Sequence, residues 1–508
     1  MTETTQKDRR PAPLDIAIVG AGIAGLAAAI ALKDHSGVRV QLYERASALR
    51  EIGASIALGP NGMRTLDRLG VHNALDDDVA FRNRSGYPMV YRHYHTNEIV
   101  SVDPSQDDGG GGGGGGDDGH HRIAYRHRTA RFYRAHLQAA LLAHIDRTTQ
   151  PLHLNKGFRS VAWDAGLGKL VLTFADGSET ATATATADLL LGTDGIQSAV
   201  RTFFVPASRP RWTGGVAFRS VFPAAHVAHI AGLPDEATHV WGPDRSLFFS
   251  PLGRGLFTVV GMQQVDPDDP DAPLRDAAWD DEGSVAQLRQ MYSNRNSRGS
   301  ESESKRESES ESGTETGWSP LVQSLVAAVP HTRLFPNAAV SASLSTWVLG
   351  DGDVYGRVTL AGDAAHAHGG AFATGGSLAL DDAWAFAAAV RHVFPVGGPP
   401  AAPAAVSEKL RAALTLYEAT RKAHTDRLLG IVHAGAQARL AQLRAEARAA
   451  RPPETDDELR QRIKSRPDPT WLHEHDVVAA FAAAVRAQDE AAAKPNGAPN
   501  RRADASKI

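Results

Sequence analysis

DIAIVGAGIAGLAAAIAL, residues 15–32, decides the fold. Asp15–Gly20 is a short apolar run, the pattern of a strand buried on both faces. Ala21–Leu32 is rich in small residues and reads as a helix, and Val38–Glu44, VRVQLYE, is a second strand. Strand, helix and strand within about 30 residues form a βαβ unit. The turn between the first two, Gly20-Ala21-Gly22-Ile23-Ala24-Gly25, fits G-x-G-x-x-G. Gly20 permits the tight turn, Gly22 lets backbone approach a pyrophosphate, and Gly25 lets the helix pack closely on the strand. The N–H groups and dipole at the helix start favour anionic phosphates. Glu44 ends the second strand, where a carboxylate takes ribose hydroxyls. The same pattern also serves close helix–strand packing without a nucleotide, and alone it leaves NAD and FAD open.

Composition bounds the class. A chain of 508 residues suggests two to four domains. With 42% apolar and 22% charged residues it reads as globular and soluble. The net charge of -4 shows no basic excess, so nucleic acid is not an implied partner. Zero cysteines exclude disulfides, thiolate metal sites, Fe–S clusters and a cysteine nucleophile. No run of about 20 apolar residues occurs, so no membrane span is expected. The polar start, MTETTQKDRRPAPLD, carries no apolar signal segment, and a cytoplasmic location is the expectation.

Further along, helical patterns fall near Gly62–Leu69 and Phe132–Ile145, and Lys169–Phe174 and Asp188–Leu191 read as strands. The region from about Gly214 to Gln263 is β-rich. Arg357–Leu360 is a strand, Ser377–Phe394 an alanine-rich helix, and Glu408–Arg448 largely helical. Gly109–Gly116 and the Ser/Glu run Asn294–Gly317 cannot bury apolar area and are expected to be disordered insertions. Thr180–Ala187 suits either a strand or a loop tip, and the tail after about Ala484 is expected to be loose.

Two more glycine stretches carry chemistry. Gly192–Arg201, GTDGIQSAVR, follows a buried strand, and Asp-Gly there is by itself an ordinary turn. AGDAAHAHGGAFATGG, residues 361–376, follows the strand RVTL. Read alone, Asp363, His366 and His368 suggest a chelate, a nucleophilic site, or a loop shaped for close approach of a ligand. A metal site needs three or four ligands with matched outer partners. No other His/Asp/Glu cluster has that spacing, so no metal is expected.

Taken together, these stretches resemble the flavoprotein aromatic hydroxylases, the single-component FAD monooxygenases that include salicylate and hydroxybenzoate hydroxylases. GTDGIQSAVR is similar to that family's Asp-Gly motif and LAGDAAH to its Gly-Asp motif. Tyr133–Leu137 resembles its His-Arg-Ala-Asp-Leu element, and GASIALGPN, residues 53–61, the segment after the second strand. The elements keep the family's order over about residues 14–430. WLHEHDVVAAF, residues 471–481, resembles the fungal salicylate-hydroxylase-like branch.

The resemblance implies an α/β fold: a Rossmann-like FAD-binding domain, an inserted mostly β substrate domain of hydroxybenzoate-hydroxylase type, and a helical C-terminal part. The FAD-binding parts would be 12–85, 121–205 and 346–400. Substrate-domain segments would be 86–120 and 206–345, with helices at 401–484 and a loose tail at 485–508. The implied cofactor is FAD, with NAD(P)H as cosubstrate. Gly20, Gly22, Gly25 and Glu44 would hold the adenosine half. Arg134 would reach the phosphates or ribityl chain, and backbone near Ala57 would line the site. Asp194 would help hold FAD, Asp363 would bond a ribityl hydroxyl, and backbone at Gly375 and Gly376 would meet the flavin. The implied reaction is hydroxylation of a small phenol- or salicylate-like aromatic with O2, through a flavin hydroperoxide. The implied protein is a monomer or homodimer.

Arg219, in Ala217-Phe218-Arg219, matches the family's Ala-aromatic-Arg element and would bind a phenolate or carboxylate. Many relatives have Tyr where Phe218 stands, and Tyr before the proline where this chain has Ser250-Pro251. Trp241, Phe248 and Phe249 would then form an apolar wall. His366 and His368 are the candidate bases. Relatives carry a His-Pro…Pro pattern where this chain has Ala367 and Gly370. Those departures keep an epoxidase, a decarboxylative hydroxylase and an oxidase open on the same scaffold, beside a non-enzymatic FAD-binding role.

Overall fold

The computed structural model describes residues 13–49, 54–107, 123–175, 182–270, 272, 280–293, 317–340, 342–398, 403–447 and 454–493. The Gly109–Gly116 run and all of the Ser/Glu run except Gly317 lie outside them.

Five parallel strands make the first sheet, in the order Val358–Leu360, Leu189–Gly192, Leu14–Val19, Val38–Tyr43, Leu152–His153. Leu14–Val19 is buried at every position, as a strand covered on both faces must be. All ten residues of the helix Ile23–Leu32 are buried too. It packs against both the strand beneath it and the helix Gly375–Val393. Small residues suit that sandwich, because they let three elements approach without voids.

Eight strands make the second sheet, in the order Asp281–Gly283, Thr332–Val340, Pro210–Pro223, Leu256–Gln264, Arg245–Leu252, Thr238–Trp241, Val90–His93, Ile99–Val102. One face is a packed core of Phe218, Phe222, Phe249, Phe257, Val259 and Leu247. Each such side chain contributes about 1.5–3 kcal/mol by leaving water. The helix Pro320–Ala328 closes that face with Val322, Leu325 and Val326. The opposite face turns toward the first sheet: Thr258 Oγ1 meets Ser55 Oγ at 3.1 Å. Ser55–Leu58 pairs with Ala130–Tyr133, and this ribbon touches the strand Arg245–Leu252 on one side and the helix Gly375–Val393 on the other.

Thr182–Ala187 is a strand, paired antiparallel with Lys169–Ala175. The expected helix from Phe132 starts only at Arg134, because Ala130–Tyr133 is extended. The tail expected to be loose from 485 is instead helical from Val477 to Ala493. Phe481, Ala484 and Val485, at three- and four-residue spacing, pack on the first core and carry the helix past Ala484. A single helix, Pro403–Ala447, spans 45 residues beside Gly375–Val393. No helix among the described residues is long and apolar enough to cross a membrane.

Candidate active site

The three glycine motifs meet at the carboxyl ends of adjacent parallel strands, where open α/β sheets bind their ligands. Gly20 has φ +107°, and a Cβ there would strike the Thr193 carbonyl. Thr193 Oγ1 donates to the Val19 and Gly20 carbonyls at 2.9 and 2.8 Å, tying the first motif to the second. The third joins through Ala361 N–H to Gly192 O, 2.9 Å, and through Gly362, whose Cβ position lies 3.3 Å from Ala24. Arg201 completes the stitching. Fully buried, it donates to the carbonyls of Asp363 and Ala364 at 3.0 and 2.9 Å, and to those of Ile196 and Ser208. Sequence reading quoted Arg201 without a role. The signal was an arginine as the lone charge within the short helix Ala199–Phe204.

Gly25 and Gly22 divide the labour of the turn. A Cβ on Gly25 would collide with the Gly20 carbonyl oxygen, whereas one on Gly22 would meet nothing within 4 Å. Gly22 thus fronts open space at the start of a helix that has no capping side chain. That is a cradle for an anion. Glu44 stands beside it, accepting from Ala21 N–H at 3.0 Å and Ala46 N–H at 2.9 Å. Each of its oxygens keeps a lone pair for a hydroxyl donor. These residues fit the adenosine diphosphate half of a dinucleotide.

On the other side, Ala57 is half-buried in the strand Ser55–Leu58 and Arg134 opens the helix Arg134–Leu142. Asp363 opens a single helical turn with its side chain exposed. Gly375 and Gly376 begin the helix Gly375–Val393. A Cβ on Gly376 would press on Ile56 and Leu58, within 2.8 Å, so that helix needs glycine to lie against the ribbon. Asp194 is occupied elsewhere. Its carboxylate accepts from Ser198 Oγ, Ala199 N–H and Val200 N–H at 2.5, 2.7 and 3.1 Å, capping the helix Ala199–Phe204. Burial raises its pKa against those bonds.

His366 and His368 are each 2% exposed and differ at Nε2, which is bonded in the first and without a partner among the described residues in the second. His366 Nε2 bonds Asp382 Oδ2 at 2.6 Å. That oxygen also accepts from Gly362 N–H at 2.9 Å, and Oδ1 takes Arg421 Nε at 2.8 Å. Burial opposes the charge on Asp382, but His366 and Arg421 outweigh it and hold the carboxyl well below its usual range. Its neighbour Asp381 titrates the other way. Burial raises it, with Thr65 and Asn61 as its hydrogen-bond donors. Two acids inside an alanine-rich helix were the signal for this network, and the partner Arg421, 39 residues on, was not.

Among the other described residues His368 has no hydrogen-bond partner on either ring nitrogen. Burial pulls its pKa down to about 4, with Asp363 opposing and His366 assisting, so the ring is neutral at pH 7. An unsatisfied buried polar group costs about 1–3 kcal/mol. The backbone beyond it is unusual. Gly369 and Gly370 have φ +71° and +78°, which proline's ring forbids, and Phe372 and Ala373 follow at +54° and +51°. Left-handed backbone at non-glycine residues costs roughly 1–2 kcal/mol each and gathers at functional sites.

Across from this loop lies the open face of the second sheet. Register places Arg219, Val260, Phe248, His239 and Tyr91 directly opposite one another in one row. Side chains alternate faces, so Phe248 is on the wall and Phe249 is in the core behind it. The expected wall therefore loses Phe249 and gains Met262 and Phe335. Trp241 stays on the open face, beneath Arg462 and Arg466. Phe218 lies in the core, so its substitution for Tyr leaves the wall unchanged. Arg219 lies over the Phe335 ring at 4.8 Å, and a Cβ on Gly370 would stand 4.0 Å from its Nη2. Among the described residues no carboxylate pairs with it. Burial, then the positive charge of Arg134, lowers its pKa to about 10. A guanidinium so placed, beside a second cation and above an apolar wall, fits an anion carried on a flat apolar body.

The chain has thus the architecture and the cradle of a flavin-dependent oxidoreductase. Residues 13–210 match the family described as FAD binding domain. The chain is 28% identical over 425 residues to a 6-hydroxynicotinate 3-monooxygenase of Bordetella bronchiseptica, covering 82% of this chain and 90% of that one. It is 26% identical over 394 residues to a salicylate hydroxylase of Pseudomonas putida, covering 73% and 76%. A solved salicylate hydroxylase substrate complex superposes with a TM-score of 0.64 at 22% identity, over 93% of this chain and 98% of that one. The chain carries that FAD binding domain and is an FAD-dependent monooxygenase similar to the aromatic hydroxylases, a family of flavoprotein monooxygenases. Its cofactor is FAD and, as is typical of that family, its cosubstrate is NAD(P)H.

Proposed function

We propose that this enzyme hydroxylates a small anionic aromatic, phenol- or salicylate-like, and that Arg219 grips the anionic group. The carrying observation is that Arg219 has no carboxylate partner among the described residues and faces the loop 369–376. Gly20, Gly22 and Gly25 shape the pyrophosphate turn, and Glu44 takes the ribose. Arg134, Asp363 and backbone at Ala57, Gly375 and Gly376 hold the flavin half. Asp194 acts on FAD only indirectly, by fixing the turn that Arg201 anchors. Bound FAD supplies the redox chemistry, taking electrons from NAD(P)H and activating O2.

The protein's share is placement and exclusion of water. Arg219 fixes one end of the ring, and Phe248, Val260, Met262 and Phe335 fix its plane and keep the site dry. The guanidinium lowers the pKa of a nearby phenol and favours the electron-rich phenolate. The helix Gly375–Val393 points its positive end toward Asp363 and the loop, where it would favour negative charge on a bound cofactor. His366 is not assigned as the base in this reading: its Nε2 is held by Asp382 within the network behind the loop, and only its Nδ1 lacks a partner among the described residues. The reading further places the enzyme in the cytoplasm, as suits a chain without cysteine, in monomeric or homodimeric form.

The test is a screen of phenols, salicylates and their neutral esters, reading NAD(P)H consumption, H2O2 and product mass together. Anionic aromatics are expected to stimulate consumption and gain one oxygen atom. Equal stimulation by neutral esters would overturn the role of Arg219. H2O2 without product from every compound would favour an oxidase.

A further inference from the structure

His368 is the one chemically versatile side chain of the loop to which the reading above gives no work. Its backbone is fixed. His368 bridges to Ala339 on the edge of the second sheet, and Val340 N–H donates to the Ala367 carbonyl at 3.0 Å. The ring's Nε2–Cε1 edge faces Gly375, with Nε2 3.6 Å and Cε1 4.0 Å from the point where a Cβ on Gly375 would stand. Asp363 Oδ1 lies 3.8 Å from the same point. A neutral imidazole and a carboxylate therefore converge beside a glycine that leaves their shared space clear. Neither imidazole nitrogen has a hydrogen-bond partner on another described residue, although one of them must carry a hydrogen and the other a lone pair.

We propose that His368 is a cofactor-positioning residue, whose missing hydrogen-bond partner is a hydroxyl or carbonyl of FAD held jointly with Asp363. This rests on the assignment of Asp363 and Gly375 to the flavin half of the site. It assigns His368 to binding rather than to proton abstraction. A ring waiting for its partner predicts opposite effects on the two forms of the protein. Without FAD the orphan nitrogens are a burden, and an apolar replacement of similar size relieves it. With FAD they are a bond, and the same replacement removes it.

The experiment compares wild type, His368→Leu and His368→Gln, each stripped of FAD and titrated with it by flavin fluorescence, with thermal unfolding of both forms. Expected for His368→Leu is an apoprotein that melts a few degrees higher and a Kd for FAD raised about tenfold. His368→Gln, which keeps a donor and an acceptor, is expected to recover most of the affinity. A Kd for His368→Leu within twofold of wild type would overturn the proposal. So would a lowered melting point or failure to fold of the Leu apoprotein, which would make the ring a structural support. A wild-type protein that does not bind FAD would instead defeat the assignment of the site itself.

Discussion

His366 and His368 stand two residues apart, equally buried, and face opposite worlds. Behind the loop, His366 closes a network in which Asp382 receives an imidazole, a guanidinium and a backbone N–H. In front, among the described residues, His368 lacks a hydrogen-bond partner and Arg219 lacks a carboxylate. The glycine turn repeats the contrast: Gly25 is packed against backbone, and Gly22 faces open space. Paired charges hold the fold together, and an unpaired group beside open glycine backbone marks where a ligand completes it.

That contrast breaks most visibly at Asp382. Asp382→Ala leaves Arg421 buried without its carboxylate, and unfolding in urea is expected to show a loss of about 3–5 kcal/mol. A loss under 1 kcal/mol would mean that the network is ornamental. The two sides also part with pH. His368 titrates near 4 when folded, against about 6.5 unfolded, so between these values the unfolded chain binds the extra proton. Stability should therefore fall as pH drops from about 6.5 toward 4, and His368→Leu should remove up to about 3 kcal/mol of that fall. Asp382, with its pKa depressed, should keep its contribution down to about pH 4 and lose it only below.

At the open face, Arg219→Ala is expected to reduce kcat/KM for an anionic aromatic by about a hundredfold while FAD stays bound, and Arg219→Lys to recover only part of it. Equal losses on neutral and anionic substrates would count against that role. The smallest effect is expected at Gly22. Gly22→Ala should change unfolding stability by less than about 1 kcal/mol, since its Cβ meets no atom within 4 Å. The FAD Kd should still rise about tenfold. If stability rather than affinity fell, Gly22 would belong with Gly25.

The sequence carried the parts of this site that are written in short spacings. Gly20, Gly22, Gly25 and Glu44, and the strand before each glycine motif, were legible because turn geometry and strand burial are local properties. Which side of a partner a residue faces was less legible. Phe248 and Phe249 are both aromatic and adjacent, and only sheet alternation tells wall from core. Partners far along the chain were not legible. Arg201 reaches across 162 residues to Asp363, and Arg421 meets Asp382 only because two helices pack side by side. Asp194 illustrates the converse: its motif is recognisable, but the carboxylate caps its own helix.

The central claim is that FAD and a satisfied Arg219 together make this a hydroxylase of anionic aromatics. The most direct measurement is product mass and H2O2 yield from the purified FAD-bound protein, supplied with NAD(P)H, O2 and a salicylate-like acid that accelerates NAD(P)H consumption. The account predicts a product with one added oxygen atom, formed nearly in step with NAD(P)H consumed, and uncoupling to H2O2 in Arg219→Ala. Full coupling in Arg219→Ala, or no oxygenated product from any anionic aromatic, would contradict it.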